Sequence, residues 1–219
     1  MRYIDRAEAG RRLADNVADA LASLPLIGDA TPPLVLGIPR GGVIVAAPIA
    51  SRVDGELDVA LARKIGAPGN PELAIGAVGE TGDPFLSPEI IRSLDVTEEY
   101  LAAATEQARG ELLRRAALYR GERPAARIAG RAVVVVDDGI ATGATLRATL
   151  LTVRSQSPAT LVCAVPVGPP SSVADLAREV DAMVCPLQPR WFRAVGEWYE
   201  IFGQTSDSEV VDTLRRWAR

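Results

Sequence analysis

The sequence predicts an α/β protein built on a doubly wound, mostly parallel sheet. Three observations carry that expectation. The runs Leu34–Ile38 (LVLGI), Ala132–Val136 (AVVVV) and Leu161–Val167 (LVCAVPV) are short and apolar throughout, as strands covered on both faces are. Segments of helical period separate them, which is the alternation of βαβ units. The stretches that follow two of these runs, PRGG and DDGIATGAT, are built of small and polar residues where a strand gives way to a helix.

In chain order, Asp5–Leu24 places Ala9, Leu13, Val17, Ala20, Leu21 and Leu24 at helical spacing, with Asp5 as N-cap and Pro25 as stop. A Pro-rich link (TPP, 31–33) leads to the strand Leu34–Ile38, the PRGG turn and a helix over Val43–Ser51. Leu57–Ala62 is the next strand, and Arg63–Pro71 (RKIGAPGNP) is rich enough in Gly and Pro to predict a loop. Leu73–Gly79 reads as a further strand, and Val96–Arg120 as a long helix capped by Thr97 and broken by Gly121–Arg131. After Ala132–Val136 come DDGIATGAT and a helix from about Gly143 to Gln156. A strand at Leu161–Val167, a helix at Ser171–Arg178 and a short strand at Ala182–Cys185 complete the pattern. The tail from Pro186 holds all three tryptophans, either as packing for a terminal helix or as a lid that stacks on something flat. One domain over 1–219 is expected, with its core at about 34–167 and a hood from about 186.

Composition bounds the chemistry. The 219 residues are 48% hydrophobic and 24% charged, enough to bury a sizeable core and too apolar for a disordered chain. There is no histidine, which excludes Ser-His-Asp triads, Cys-His pairs and His-ligated zinc. Lys64 is the only lysine among 24 Lys and Arg residues. A net charge of −4 argues against nucleic acid or an anionic membrane as partner. Cys163 and Cys185 lie in apolar runs without the spacing of a zinc knuckle or redox pair, so buried free thiols are expected. No stretch resembles a signal peptide or a membrane span, and a cytoplasmic protein is expected.

The chemistry is written in VVVVDDGIATGAT, at the carboxyl end of an apolar strand, where open parallel sheets bind ligands. Amides from Ile140 to Thr145, with the hydroxyls of Thr142 and Thr145, can wrap a phosphate at a helix start. Asp137 and Asp138 suit vicinal hydroxyls or magnesium, a hard ion that prefers carboxylate oxygen. A phosphate cradle beside a diol-binding acid pair describes a ribose 5-phosphate site. A Walker A loop is excluded, because it needs a lysine after its second glycine.

That segment closely resembles the motif of the type I phosphoribosyltransferases that binds 5-phosphoribosyl 1-diphosphate (PRPP). The resemblance implies that Asp137 and Asp138 hold the ribose hydroxyls and that Gly139, Ile140, Ala141, Thr142, Gly143, Ala144 and Thr145 form the 5-phosphate loop. Two further segments fit in order. GIPRGG resembles the family's pyrophosphate loop, in which a strained turn would offer amides at Gly41 and Gly42 and the side chain of Arg40. Arg63 and Lys64, in ARKIGAPGNP, resemble the basic pair before a flexible loop, here about Ile65 to Glu80, that closes over PRPP. Arg63 alternatively pairs with Glu80 or Glu72. GIPRGG, RKIGAPGNPELAIGAVGE and VVVVDDGIATGAT together resemble a bacterial group of phosphoribosyltransferase-like proteins whose base is not settled.

The resemblance implies a Mg²⁺-dependent transfer of the phosphoribosyl group to a nitrogenous base, in a homodimer. Asp137, Asp138, Arg40 and Lys64 would carry catalysis, the acid pair would meet the metal directly or through water, and Trp191, Phe192 and Trp198 are hood candidates for stacking the base. Gly139 replaces a usual aliphatic residue and loosens the turn. Ala141 stands where hypoxanthine-guanine enzymes carry an acid, which counts against a 6-oxopurine, and the motifs look more like those of adenine phosphoribosyltransferases. Two alternatives stay open: a regulator that senses PRPP or a nucleotide on the same fold, and a metal-dependent phosphoryl hydrolase.

Overall fold

The computed structural model describes residues 2–24, 31–80 and 83–217. Five parallel strands form the central sheet: β1 (Leu34–Gly37), β2 (Glu56–Val59), and, in the second half of the chain, Ala132–Val136, Thr160–Ala164 and Ala182–Val184. Between the halves lies a smaller antiparallel sheet, β3 (Ala62–Ala67), β4 (Asn70–Gly79) and β5 (Phe85–Leu86), so the last three core strands are β6, β7 and β8. The core order is β2-β1-β6-β7-β8, and the chain switches direction between the neighbours β1 and β6. Such a switch point opens a crevice at the carboxyl edge. Gly37 and Val136 are partners in register at that edge.

Successive residues of the core strands point to opposite faces. Val35, Val134 and Val162 pack with helices α1 (Arg6–Ser23) and α2 (Gly41–Arg52). Leu34, Val133 and Leu161 pack with α5 (Ala144–Arg154) and α6 (Pro170–Leu176), α3 (Pro88–Ser93) and α4 (Glu98–Arg120) preceding them in the chain. Asp5 caps α1 by accepting from the Glu8 amide, and Thr97 caps α4 by accepting from the Tyr100 amide, as their positions before the apolar periods dictate. The expected stop at Pro25 lies outside the described residues.

Three expectations are corrected. Arg63–Pro71 is not a loop: it forms β3, a turn and the start of β4. Its glycines serve close approach instead of irregularity, since a Cβ at Gly66 would stand 2.7 Å from the Pro71 backbone and one at Gly76 2.5 Å from the Phe85 carbonyl. Ile65, Ala67, Ile75 and Val78 are buried and join this sheet to the main core. The strand expected over Leu57–Ala62 ends at Val59, and Ala62 opens β3. The tail divides in two: its first part lies over the sheet's carboxyl edge, while α7 (Asp207–Trp217) buries Val210 and Leu214 in the main core.

Candidate functional site

The acid pair follows β6 directly. The Asp137 carboxylate accepts the Asp138 amide at 2.8 Å, and its pKa is held well above the carboxylate range by burial first and by the charge of Asp138. Asp138 meets Arg6, the first residue of α1, at 2.7 Å. Arg6 also donates to the Gly203 carbonyl at 2.8 Å and lies 4.0 Å from the Phe202 ring centre. The Tyr199 hydroxyl donates to the Asp138 carbonyl at 2.6 Å, and the Tyr199 and Phe202 rings are 5.0 Å apart. Arg6, Tyr199 and Phe202 therefore surround Asp138 without having been expected there. Arg6 gave no local signal, being one arginine among many and 132 positions from its partner.

GIPRGG brings the start of α2 against the same acids. A Cβ at Gly42 would fall 2.6 Å from the Val136 carbonyl oxygen and 2.9 Å from the Asp137 Cα, and one at Gly41 would strike the Asp138 carboxylate and Arg6. Only glycines permit this approach. The Pro39–Arg40 peptide is cis, and half-buried Arg40 stands at the N-cap with no side-chain cap of its own.

On the other side, Gly143 takes a left-handed φ of 77° to start α5. Thr142 and Thr145 are exposed, and the Ala144 amide points toward Thr142 Oγ1 at 3.5 Å. Ile140 is a correction: its amide donates to the Val167 carbonyl at 2.8 Å and its side chain is buried, so the donors of this loop begin after it. Ala141 is exposed, its carbonyl accepting from Ser172. Gly139 makes room for the tail, because a Cβ there would lie 2.6 Å from Val195 Cγ1.

The starts of α2 and α5 differ from those of the long helices, and share their lack of acids only with the short α6, which opens on Pro170. Helices α1, α4 and α7 carry acids in their first turns, whereas α2 and α5 carry none and have no side-chain N-cap bond. Neither first turn brings an acid of its own, the Ala144 amide having only Thr142 Oγ1 at 3.5 Å, and helix starts of this kind suit an anion.

Lys64 lines a cavity of about 430 Å³ together with Thr142, Gly143, Ala144, Arg147, Phe85 and Ile90. This is a size that takes a small ligand, and it sets the lysine across from the α5 start. Arg63 is exposed and pairs with Glu111, not with Glu80, which belongs to Arg120; the Glu72 side chain is outside the described residues. Among the hood candidates, Phe192 and Trp198 pack against Tyr3, Val167 and Tyr199, while Trp191 is 89% exposed.

A parallel α/β sheet whose switch point gathers an acid pair and the starts of two helices is a doubly wound fold with a ligand crevice at its carboxyl edge. The chain belongs to the phosphoribosyl transferase domain family, whose model matches residues 4–197. It is 43% identical over 214 residues to proteins of Mycobacterium tuberculosis strains H37Rv and CDC 1551, each named "Putative phosphoribosyl transferase". The alignment covers 98% of this chain and 46% of those relatives, so the chain spans about half their length. It is also similar to the protein TT1426 of Thermus thermophilus, a crystal structure at 45% identity and TM-score 0.88, covering 100% of both chains. Among the described residues no helix is long and apolar enough to cross a membrane.

Proposed function

We propose that this chain binds PRPP with Mg²⁺ and transfers its phosphoribosyl group to a nitrogenous base. The observation that carries the reading is the order of chemistry along the edge: an anion-competent helix start at α2, then the acid pair, then a second such start at α5. An anion, a neutral diol and another anion in sequence is the pattern of a ribose bearing diphosphate on C1 and phosphate on C5.

In this reading the C1–O bond to diphosphate breaks with its electron pair leaving on oxygen, a C1–N bond forms, and the base nitrogen gives up a proton. The transition state has oxocarbenium character and needs no covalent nucleophile. Asp137 and Asp138 orient the ribose hydroxyls. Thr142, Gly143, Ala144 and Thr145 hold the 5-phosphate, with Gly139 and Ala141 shaping the turn. Arg40 and the amides of Gly41 and Gly42 meet the diphosphate. Lys64, with Arg63 beside it, supplies positive charge on the far wall.

Two adjacent carboxylates, with no cluster of three or more acidic, Cys or His groups among the described residues, suit an ion that keeps substrate oxygens and water as most of its ligands. Asp137 and Asp138 would hold Mg²⁺, which when bound neutralises charge on the leaving diphosphate. A cytoplasmic homodimer is part of the reading, and gel filtration tests the assembly. No residue singles out the base; of the hood candidates Trp191 has the open ring face, and Phe202 lies beside Asp138's partner Arg6.

Titration calorimetry with Mg-PRPP tests the first half: saturable binding is expected, and no heat would end the proposal. Pyrophosphate release across a panel of bases tests the second. Binding without release for every base would leave a sensor.

A further inference from the structure

Outside the site, the densest buried charge among the described residues lies where the β3–β4 hairpin leaves the core. Arg120, the last residue of α4, is almost wholly buried and donates from all three nitrogens of its guanidinium. Its Nε donates to both Asp58 oxygens at 2.6 and 2.9 Å, its Nη1 to Glu80 at 2.6 Å and its Nη2 to the Val59 carbonyl at 2.9 Å. Asp58 and Val59 end the strand before the hairpin, and Glu80 directly follows it. One planar cation thus joins the two legs of the hairpin at its base, a bonding fork that a lysine cannot reproduce.

We propose that Arg120 and Glu80 are positioning residues that fix where the hairpin holds Lys64 against the phosphate loop; this rests on the reading of Lys64 as an anion-binding residue. Ala62 and Gly79 form the first pair above the clamp, and Lys64, opposite Ala77, is two residues farther along. At about 3.3 Å per residue the ammonium-bearing residue starts roughly 7 Å from the hinge, so a small tilt at the base moves it directly. The rest of the hairpin follows the same helix: the Tyr100 hydroxyl donates to the Gly66 carbonyl at 3.0 Å and Glu111 pairs with Arg63. Helix α4 is therefore the rail on which the hairpin is mounted, and Arg120 is its lower fixing. A buried ion network adds little net stability over an apolar replacement, and here it gives orientation.

The test uses the full chain with Glu80→Gln, which keeps the shape and removes the charge, and Arg120→Lys. Without ligand, hydrogen exchange of residues 62–79 should quicken in both variants while residues 132–136 and 160–164 keep wild-type protection. With Mg-PRPP, Glu80→Gln should weaken binding about tenfold alone and less than about twofold in a Lys64→Gln background, as coupled residues do. Unchanged hairpin exchange, or losses that multiply independently in the double variant, would overturn the proposal. If Arg120→Lys does not fold, Glu80→Gln carries both measurements. A wild-type protein that ignores Mg-PRPP would sink the phosphoribosyl reading alone, and hairpin exchange would then decide the clamp by itself.

Discussion

Replacing Gly42 by alanine puts one methyl group into the closest backbone approach of the site. The new Cβ would sit 2.6 Å from the Val136 carbonyl oxygen, the same oxygen that accepts the Ile38 amide at 2.8 Å. Ordinary contact begins at 3.4 Å, so the start of α2 and the end of β6 must separate by about 0.8 Å. Neither side is a flexible side chain, and overpacking of this kind costs about 1–3 kcal/mol. For a chain of this size that lowers Tm by roughly 2–4 °C per kcal/mol. The same shift moves the Arg40 turn away from the acid pair, and a misplacement near 1 Å costs up to about 100-fold in a positioned site. Calorimetric melting and Mg-PRPP titration read the two effects. Gly110→Ala is the control: it lies within α4, its Cβ would meet nothing within 4 Å, and it should gain about 0.5–1 kcal/mol. If Gly42→Ala melts and binds like the wild type, the close packing of α2 on β6 is not what shapes the site.

Other substitutions probe separate forces. Arg120→Met leaves Asp58 and Glu80 without their counter-charge and should cost about 3–5 kcal/mol in urea unfolding; a loss under about 1 kcal/mol would contradict the buried network. Asp137→Asn should raise Tm at pH 7 while weakening Mg-PRPP binding. The sign follows from its raised pKa: the stability Asp137 gives is full below the unfolded value of about 4 and is lost as pH rises through the folded value. The variant's advantage should therefore shrink toward pH 4, and a variant less stable at every pH would refute this account. Burial pushes the Cys185 thiol up to about 12 and Cys163 higher still, so at pH 8 neither forms appreciable thiolate. A disulfide-exchange reagent should find both thiols only after unfolding, and rapid native reaction would count against the buried positions.

The core strands were legible because covered strands must be apolar on both faces, and AVVVV admits little else. The acid pair and its loop were legible because strand, acids, glycine turn and helix are contiguous, so one stretch of chain states the whole local geometry. The hairpin was legible in its second strand, read at Leu73–Gly79, and not in its first. Gly66 and Gly76 answer to the backbone of the adjoining strand, at Pro71 and Phe85, and in sequence a glycine needed for close approach looks the same as one needed for a loop. Ile140 shows the same limit at a single atom, since its amide is taken by Val167, 27 positions away. Arg6 and Phe202 reach the site through the pairing of the two ends of the chain, where Tyr3 and Tyr199 form a parallel bridge. No local pattern announces such a contact.

The parts of the site are held by different means, which bears on how it would meet a ligand. The acid pair and the α2 start are set by backbone contact between neighbouring strands, a rigid arrangement that changes only if the sheet does. Lys64 instead stands on a hairpin mounted on α4 through hydrogen bonds and ion pairs, and Asp138 is paired with an arginine whose other bonds go to the tail. Polar fixings break and reform at lower cost than packed strands shift. A ligand bearing a diol would take over the Asp138 oxygen now shared with Arg6, and one bearing phosphate would draw on Lys64. Binding energy would then act on the hairpin and the tail, while the sheet edge, which in the proposed function aligns the ribose, would stay fixed. That division would let a single rigid edge serve the proposed transfer, in which the leaving group must be held tightly and then released.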